Sequence, residues 1–479
     1  MPLALTGADL TIEDVVAVAR DGRRVELAPA AVDRLRRARE VATAALAGDT
    51  PVYGLSTGVG VRKRARVARD EQAQFNRRLI ENHRVGQGPA APDDVVRATM
   101  VTLANVFARG SSPAGPRLVE QIVEALNERR HPAVRILGSL GMADLAPMAD
   151  LAHGLLGNEA ALEPGEALAL LNNNAFATGW AALAIADYGR LLDASLVAGA
   201  LDLEAFAANL SIVDPALARE RPYAGLAEAA SALRSLLAGT ESDARNLQDP
   251  LSFRCLPQVH GAALDVLRFA RAQAETELNS AQGNPLFDLE SGRTIAAANF
   301  DALPLAAALD FLRIALAPVL TAANERMVKL LQSPLSGLPE GLAERAGAAE
   351  DSLSEYGPAG QALAIEARLL AQPVSFELAS SAHAEGIEDR ATMAPLGARR
   401  TSELVALGER IVAVELLVAA QAVDLRGHRL GTGTRRAHEL VRRQVPFKRE
   451  VDPVPETLEP LVELVRSGVL RPSLGKPNL

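Results

Sequence analysis

Apolar residues recur at helical spacing over most of this chain. They follow a 3.6-residue period over 28–47, 71–85, 93–108 and 117–128, and Gly/Pro/Ser punctuation at 86–92 and 110–116 separates the last three. A turn-rich stretch, 138–147, leads into a helix expected to begin near Met148. Further on, 257–279, 303–331 and 361–370 read as helices, the first two long enough to run down a bundle. The intervening loops carry polar residues unusual for a core, at 248–254, 282–287, 296–300 and 385–395. A glycine-rich segment, Tyr53 to Gly60, is expected to be a loop. No internal repeat or flexible linker stands out. The first domain boundary is placed near Asp193, giving a 1–193 domain that carries loops of interest and a 194–479 bundle with a C-terminal helical region.

Composition agrees with helix packed on helix. Of the 479 residues 48% are apolar and only 3% aromatic, with Ala and Leu dominating the long stretches. The formal charge of −9 is mixed in sign along the chain, which argues against a nucleic-acid or anionic-membrane partner. A basic stretch at Arg435, Arg436, Arg442, Arg443, Lys448 and Arg449 is read as a surface helix, with a subunit contact as the alternative. One cysteine, Cys255, leaves no disulfide framework and no thiolate cluster. The seven histidines lack ligand spacing, so no metal is expected. No uninterrupted apolar run reaches the ~20 residues of a membrane span, and the first residues lack a secretion pattern. The expectation is a cytoplasmic protein.

Several loops together carry a resemblance. They are Tyr53-Gly-Leu-Ser-Thr-Gly-Val-Gly60, Asn82-His83 before Gly86-Gln-Gly88, Ala108-Arg-Gly110, and Gly138-Ser-Leu-Gly141 with Asp144-Leu-Ala-Pro147. Leu171-Asn172, Gln248-Asp-Pro-Leu-Ser-Phe-Arg-Cys-Leu-Pro-Gln258, Asn284-Pro-Leu286, Asn299-Phe300, Glu366 and Gly386-Ile-Glu-Asp-Arg-Ala-Thr-Met393 complete the set. In order and spacing the chain resembles the histidine, phenylalanine and tyrosine ammonia-lyases and related aminomutases. The resemblance implies an all-α fold of the fumarase/aspartase-like superfamily, and homotetramers whose sites take loops from three subunits.

Members of that family cyclise an internal Ala-Ser-Gly tripeptide into an electrophilic methylidene-imidazolone. Its serine becomes the exocyclic methylene, and its glycine supplies an unhindered nitrogen. Here only Met142 and Ala143 lie between Gly141 and Asp144, one residue short and without serine. Ser139 is read as a turn hydroxyl. The family's Gln-Asp-Pro-Tyr-Ser loop has Leu251 in place of tyrosine. Met142, Ala143 and Leu251 therefore mark a degenerate cofactor site, and no cofactor is expected.

The other half of the family's site is retained. Tyr53 corresponds to the general base, a task that requires a pKa pulled well below ~10; the alternative is a tyrosine packing its loop. Arg254 corresponds to the arginine that grips a substrate carboxylate, or else forms a structural salt bridge. Asn172 and Asn284 either contact the substrate or hold loops by backbone hydrogen bonds. Asn82 and His83 occupy the pair that reads the substrate ring, unless His83 is a satisfied helix histidine. Glu366, among apolar helix neighbours, is expected to face a polar site and relay protons, because burying a lone carboxylate is costly. Phe300 is a pocket wall or core. The reading is a lyase-like enzyme acting on a small carboxylate without the ring. The resemblance extends to cofactor-less relatives that eliminate trimethylamine from a betaine. A non-catalytic binding homologue and an ordinary ammonia-lyase are the alternatives.

Overall fold

The computed structural model describes residues 1–157, 161–347, 352–375 and 383–472. Among these, β structure is confined to three two-stranded ribbons: Leu3–Leu5 with Val25–Leu27, Gln87–Ala90 with Arg135–Leu137, and Leu286–Asp288 with Arg293–Ile295. The remainder is helix and connecting loop. Expected helices form as Pro29–Ala47, Gln72–His83, Asp93–Ala108, Pro116–Asn127, Leu256–Leu278, Leu303–Leu331 and Tyr356–Leu370. The helix expected near Met148 begins earlier, as Leu145–Leu156, because Pro147 sits in its first turn, where no N–H partner is needed.

The chain divides into two compact units. The first holds residues 1–186, 270–310 and 373–399, and the second 187–269, 311–372 and 400–479. The division at 186/187 lies close to the expected boundary, but a single cut at 193 leaves out two later segments that belong to the first unit. Four of the five divisions fall inside long helices, Ala175–Phe206, Leu256–Leu278, Leu303–Leu331 and Ala394–Arg426, and the fifth, at 372/373, follows Tyr356–Leu370.

In the first unit, Asp144 links two helix starts. By position it precedes Leu145–Leu156, yet its Oδ2 accepts from the Ala177 N–H, 2.8 Å away, in the first turn of Ala175–Phe206. Helix N-termini favour an anion there. Asp144 is nevertheless fully buried, and burial outweighs its two hydrogen bonds, pushing its carboxyl up to about 7.

In the second unit, Arg326, Asp202 and Glu415 form a buried ionic triad. Arg326 Nε donates to Asp202 at 2.8 Å and Nη2 to Glu415, all at or below 1% exposure. Burial and the Glu415 charge drive the Asp202 carboxyl well above its ordinary range, against the pull of Arg326. Arg326 Nη1 also donates to the Ser252 carbonyl at 3.2 Å, fixing the loop that carries Arg254. The helix Leu303–Leu331, apolar and long enough by composition to cross a membrane, thus carries a buried arginine with two carboxylate partners, as a bundle core helix does. The basic Thr432–Gln444 helix shows exposed Arg435, Arg436 and Arg443, while Arg442 pairs with Asp424 at 2.8 Å.

Two outcomes follow from these buried charges. Arg326→Met leaves two carboxylates facing each other in the core and should cost roughly 3–5 kcal/mol. Replacing all three residues by Leu, Met and Leu should recover most of that loss; thermal unfolding measures both, and an Arg326→Met protein as stable as the parent would remove the triad's role. For Asp144 the folded pKa of about 7 exceeds the unfolded ~3.9, so stability declines as pH rises between them. From pH 5 to 7 the parent should lose roughly 2–3 kcal/mol more than Asp144→Asn, read in urea unfolding followed by the fluorescence of Trp180.

Candidate functional site

Within the first unit, Tyr53 stands on a tight loop whose backbone is heavily bonded. The Val52 carbonyl accepts from the N–H groups of Leu55, Ser56 and Thr57 at 2.9–3.2 Å, and the Ser56 hydroxyl accepts from Val52 N–H at 2.9 Å. Gln72, buried on the Gln72–His83 helix, donates to the Leu55 carbonyl at 2.8 Å. Gly54 takes φ +64° beside Leu168, where a Cβ would come within 2.1 Å of that side chain. The sequence therefore builds a rigid pedestal for Tyr53.

Tyr53 is half-buried and lines a narrow cleft with Phe107, Ser112, Asn172, Asn284 and Phe287. The enclosed space, ≈ 20 Å³, has room for about one water. The Tyr53 hydroxyl accepts from the Gly60 N–H at 2.8 Å. Burial raises its pKa; the Gly60 N–H acts in the opposite direction, and the Glu388 charge raises it further. The depressed pKa expected of a general base is therefore not provided within the unit: the phenol has one backbone donor and a carboxylate neighbour.

Asn172 and Asn284 join Tyr53 in this cleft and also hold its walls. Asn172 Nδ2 donates to the Asn284 carbonyl at 2.8 Å, and Asn284 Oδ1 accepts from Ala297 N–H at 3.0 Å. Both amides make the backbone bonds of the loop-holding alternative. Asn173 and Asn174 continue the stitching. The Asn173 carbonyl accepts from Asp144 N–H at 2.8 Å, and the Asn174 N–H donates to Gln282 at 3.2 Å.

The segment Gly141 to Asp144 folds as a closed turn. Gly141 pairs with Ala143 and Met142 with Asp301, while Gly141 and Ala143 take φ of +77° and +58°. Thr392 donates to the Gly141 carbonyl at 2.7 Å, and Met393 N–H to the Leu140 carbonyl at 2.9 Å. Ser139 accepts from Gly141 N–H at 3.2 Å and donates to Asp144 at 3.3 Å, the turn hydroxyl expected of it. Phe300 is half-buried next to Asp301 and so belongs with the Met142 turn; it is not among the residues lining the Tyr53 cleft. Glu277, pushed up to about 7 mainly by burial and also by the charges of Asp144 and Asp301, is a second carboxyl of this neighbourhood with a near-neutral pKa.

Asn82 is exposed, and His83 is half-buried. His83 Nδ1 donates to the Leu79 carbonyl at 2.7 Å, which fixes the ring and leaves Nε2 without a partner in that bond. Neither residue lines the cleft.

The second unit holds the other candidates. Arg254 closes the helical turn Leu251–Arg254, and its Nε donates to the Asp249 carbonyl at 2.7 Å. That bond orients the guanidinium and leaves both Nη groups for another partner; among the described residues no carboxylate pairs with it. The salt-bridge alternative is thus not realised within the unit. Asp249 is itself anchored by Asn209 N–H at 2.6 Å and Asn246 at 3.1 Å. Leu251 is 63% exposed. Glu366 is exposed on Tyr356–Leu370, beside Ile365 and Leu369. The argument from a buried carboxylate fails here, because Glu366 shares an exposed face with Ile365 and Leu369 while Ala364 and Ala367 take the buried one.

Sequence reasoning passed over three groups. Glu388 lies inside the quoted Gly386–Met393 motif, and Asp144 inside another; a carboxylate within a motif that carries the resemblance was the available signal. The third is a cationic run, Arg62, Lys63, Arg64, Arg66 and Arg69, denser than the stretch around Arg435 to Arg449. It forms a hairpin after Tyr53, closed by the Thr57–Arg66 bridge and the Gly58 N–H to Ala65 carbonyl bond of 2.9 Å.

Comparison with known proteins places this geometry. The aromatic amino acid lyase model matches residues 10–443. Histidine ammonia-lyase of Treponema denticola is 33% identical over 93% of this chain and 92% of its own length. Among solved structures, ergothionase of Treponema denticola, an ergothioneine-degrading enzyme held with desmethyl-ergothioneine sulfonic acid, superposes with a TM-score of 0.92 at 28% identity, covering 98% of this chain and 99% of that one. Tyrosine aminomutase of Streptomyces globisporus gives 0.90 at 28% identity, covering 98% of both. By the extent of these matches the chain belongs to the aromatic amino acid lyase family.

Proposed function

We propose that this chain is a lyase-like enzyme working without the electrophilic ring of its family. It eliminates an amine that already leaves well from an aromatic or unsaturated carboxylate, or runs the related addition or cyclisation, with Tyr53 as base. The observation that carries the proposal is the two-residue Met142-Ala143 stretch. No Ala-Ser-Gly occurs anywhere in the chain, and its three Ser-Gly pairs follow Glu290, Leu335 and Arg466.

Electrostatics favours a substrate with a fixed positive charge. Tyr53 has a backbone donor and no cation to lower its pKa, and a trimethylammonium group bound beside it would supply one. The same group departs as a neutral amine without prior activation, so the step that the ring serves in relatives is not needed. Tyr53 takes the β-proton, and Glu388, close enough to act on its charge, receives or returns it. Arg254, its Nε fixed by Asp249, offers the paired Nη groups to the substrate carboxylate. Similarity to ergothionase supports the betaine class. Asn82 and His83 would read the ring, with Nε2 of His83 accepting from it; Phe300 would wall it, and Glu366 would relay protons.

The proposal includes a homotetramer in which Tyr53, Arg254 and Glu366 come together from different chains. Leu251, Ile365 and Leu369 support it: they flank Arg254 and Glu366 and are 63%, 46% and 62% exposed, leaving an apolar rim for a partner copy. The raised Tyr53 pKa also gives weight to a second reading, a binding homologue without turnover.

Incubation with aromatic amino acids and with their N-trimethylated betaines separates these readings. The betaines should give the conjugated acrylate absorbance and the free amino acids none, with no loss of two waters in the intact mass. Tyr53→Phe should lower kcat by about 10²–10⁴-fold while ligand affinity stays within about threefold. A base with a raised pKa should give a kcat/KM that climbs roughly tenfold per pH unit across the neutral range. Absence of turnover on every betaine, with affinity retained, would leave the binding homologue.

A further inference from the structure

The cationic hairpin after Tyr53 has no part in the chemistry above. Residues 62–69 hold five cations and no acid, in a chain of net charge −9. Arg62, Arg64, Arg66 and Arg69 are exposed, Arg64 with 79% of its side chain. Glu385 pairs with Lys63 at 3.0 Å and Arg64 at 3.4 Å, and Arg66 reaches the Asp49 carbonyl at 3.4 Å. Among the described residues no carboxylate pairs with Arg62, Arg66 or Arg69. Ordinary surface charge is usually interspersed in sign, and like charges at this density repel one another unless something neutralises them.

We infer that this hairpin, joined to Tyr53 by the Gly60 N–H, is a docking surface for the acidic face of a second protein. The shape of the site decides against a small anion. A phosphate or carboxylate ligand is held by converging donors in a concavity, whereas these guanidiniums project from an exposed hairpin and line none of the cavities described. The neighbourhood also decides between polyanions. Glu385 is 52% exposed beside the cations, and Glu388 and Asp389 follow on the same exposed segment. A uniform lattice of phosphates, in nucleic acid or in a lipid surface, would meet those carboxylates as well as the arginines. A protein face carries both signs and can place its acids on the arginines alone, where the planar fork of Arg matches a carboxylate. The hairpin is also the segment whose Gly60 N–H bonds the Tyr53 hydroxyl, so a partner seated on it touches the element that sets the base.

The inference rests on the hairpin and not on the proposed reaction, and its test requires no turnover. Fluorescein-labelled poly-L-glutamate of about 20 residues is titrated against the full-length protein, with anisotropy as readout, at rising salt. The parent should bind saturably at low ionic strength and lose affinity as salt screens the contacts. Arg62→Glu, Arg64→Glu, Arg66→Glu and Arg69→Glu combined should weaken binding about tenfold or more, and the four Arg→Lys changes should keep it within about threefold. Amide exchange at Gly60 should slow on binding. Circular dichroism confirms that each variant is folded. No binding by the parent, or equal binding by the charge-reversed variant, overturns the inference. Tighter hairpin-dependent binding of a 20-mer oligothymidylate or of phosphatidylserine vesicles overturns it in favour of nucleic acid or membrane.

Discussion

A single carboxyl group, that of Asp144, ties the candidate site to the scaffold. It accepts from the first turn of Ala175–Phe206 while its own residue begins Leu145–Leu156, and its N–H reaches the Asn173 carbonyl. Two helix starts, the asparagine run and the Met142 turn thus share one anchor. Two opposing effects set its charge: the N–H donor and the helix terminus favour the anion, and full burial favours the acid. Burial is the larger, leaving a group poised near neutrality in the middle of the architecture.

The amphipathic helices were legible in the sequence because their apolar residues fall on one face. Pro116–Asn127 is such a helix, with Leu118, Val119, Ile122, Ala125 and Leu126 as its buried residues. Ala175–Phe206 and Ala394–Arg426, the longest helices, were not foreseen. Every residue of Ala175–Ile185 and of Ile411–Val423 is buried, so no periodicity marks a face there, and a helix buried all round can be told from a long apolar stretch only by what packs on it. The discontinuous first unit was beyond reach for a related reason: joining 270–310 and 373–399 to the N-terminal 186 residues depends on long-range packing.

The site was legible in its residue types and less so in its arrangement. Tyr53, Asn172 and Asn284 share a cleft in one unit, as a resemblance carried by their loops implies. Arg254, Leu251 and Glu366 lie in the other unit. Glu366 shows how a burial argument fails: its neighbours Ile365 and Leu369 are apolar, but apolar composition on a helix does not say which side is covered within one chain. The Tyr53 pKa fails similarly, since the glycines that make its loop recognisable contribute one N–H, and the surrounding protein contributes the burial that outweighs it.

The closed turn at Gly141 bears on how such a chain could be re-engineered. A side chain at position 141 would press to 2.5 Å from the Thr392 hydroxyl and 2.9 Å from the Ala394 nitrogen, and neighbouring backbone is clamped at Leu140, Met142 and Asp144. Substitutions at Met142 or Ala143 therefore fall inside a segment held on either side by tertiary partners, so the path of this backbone is set by Thr392, Met393 and Asp301 and not by those two side chains.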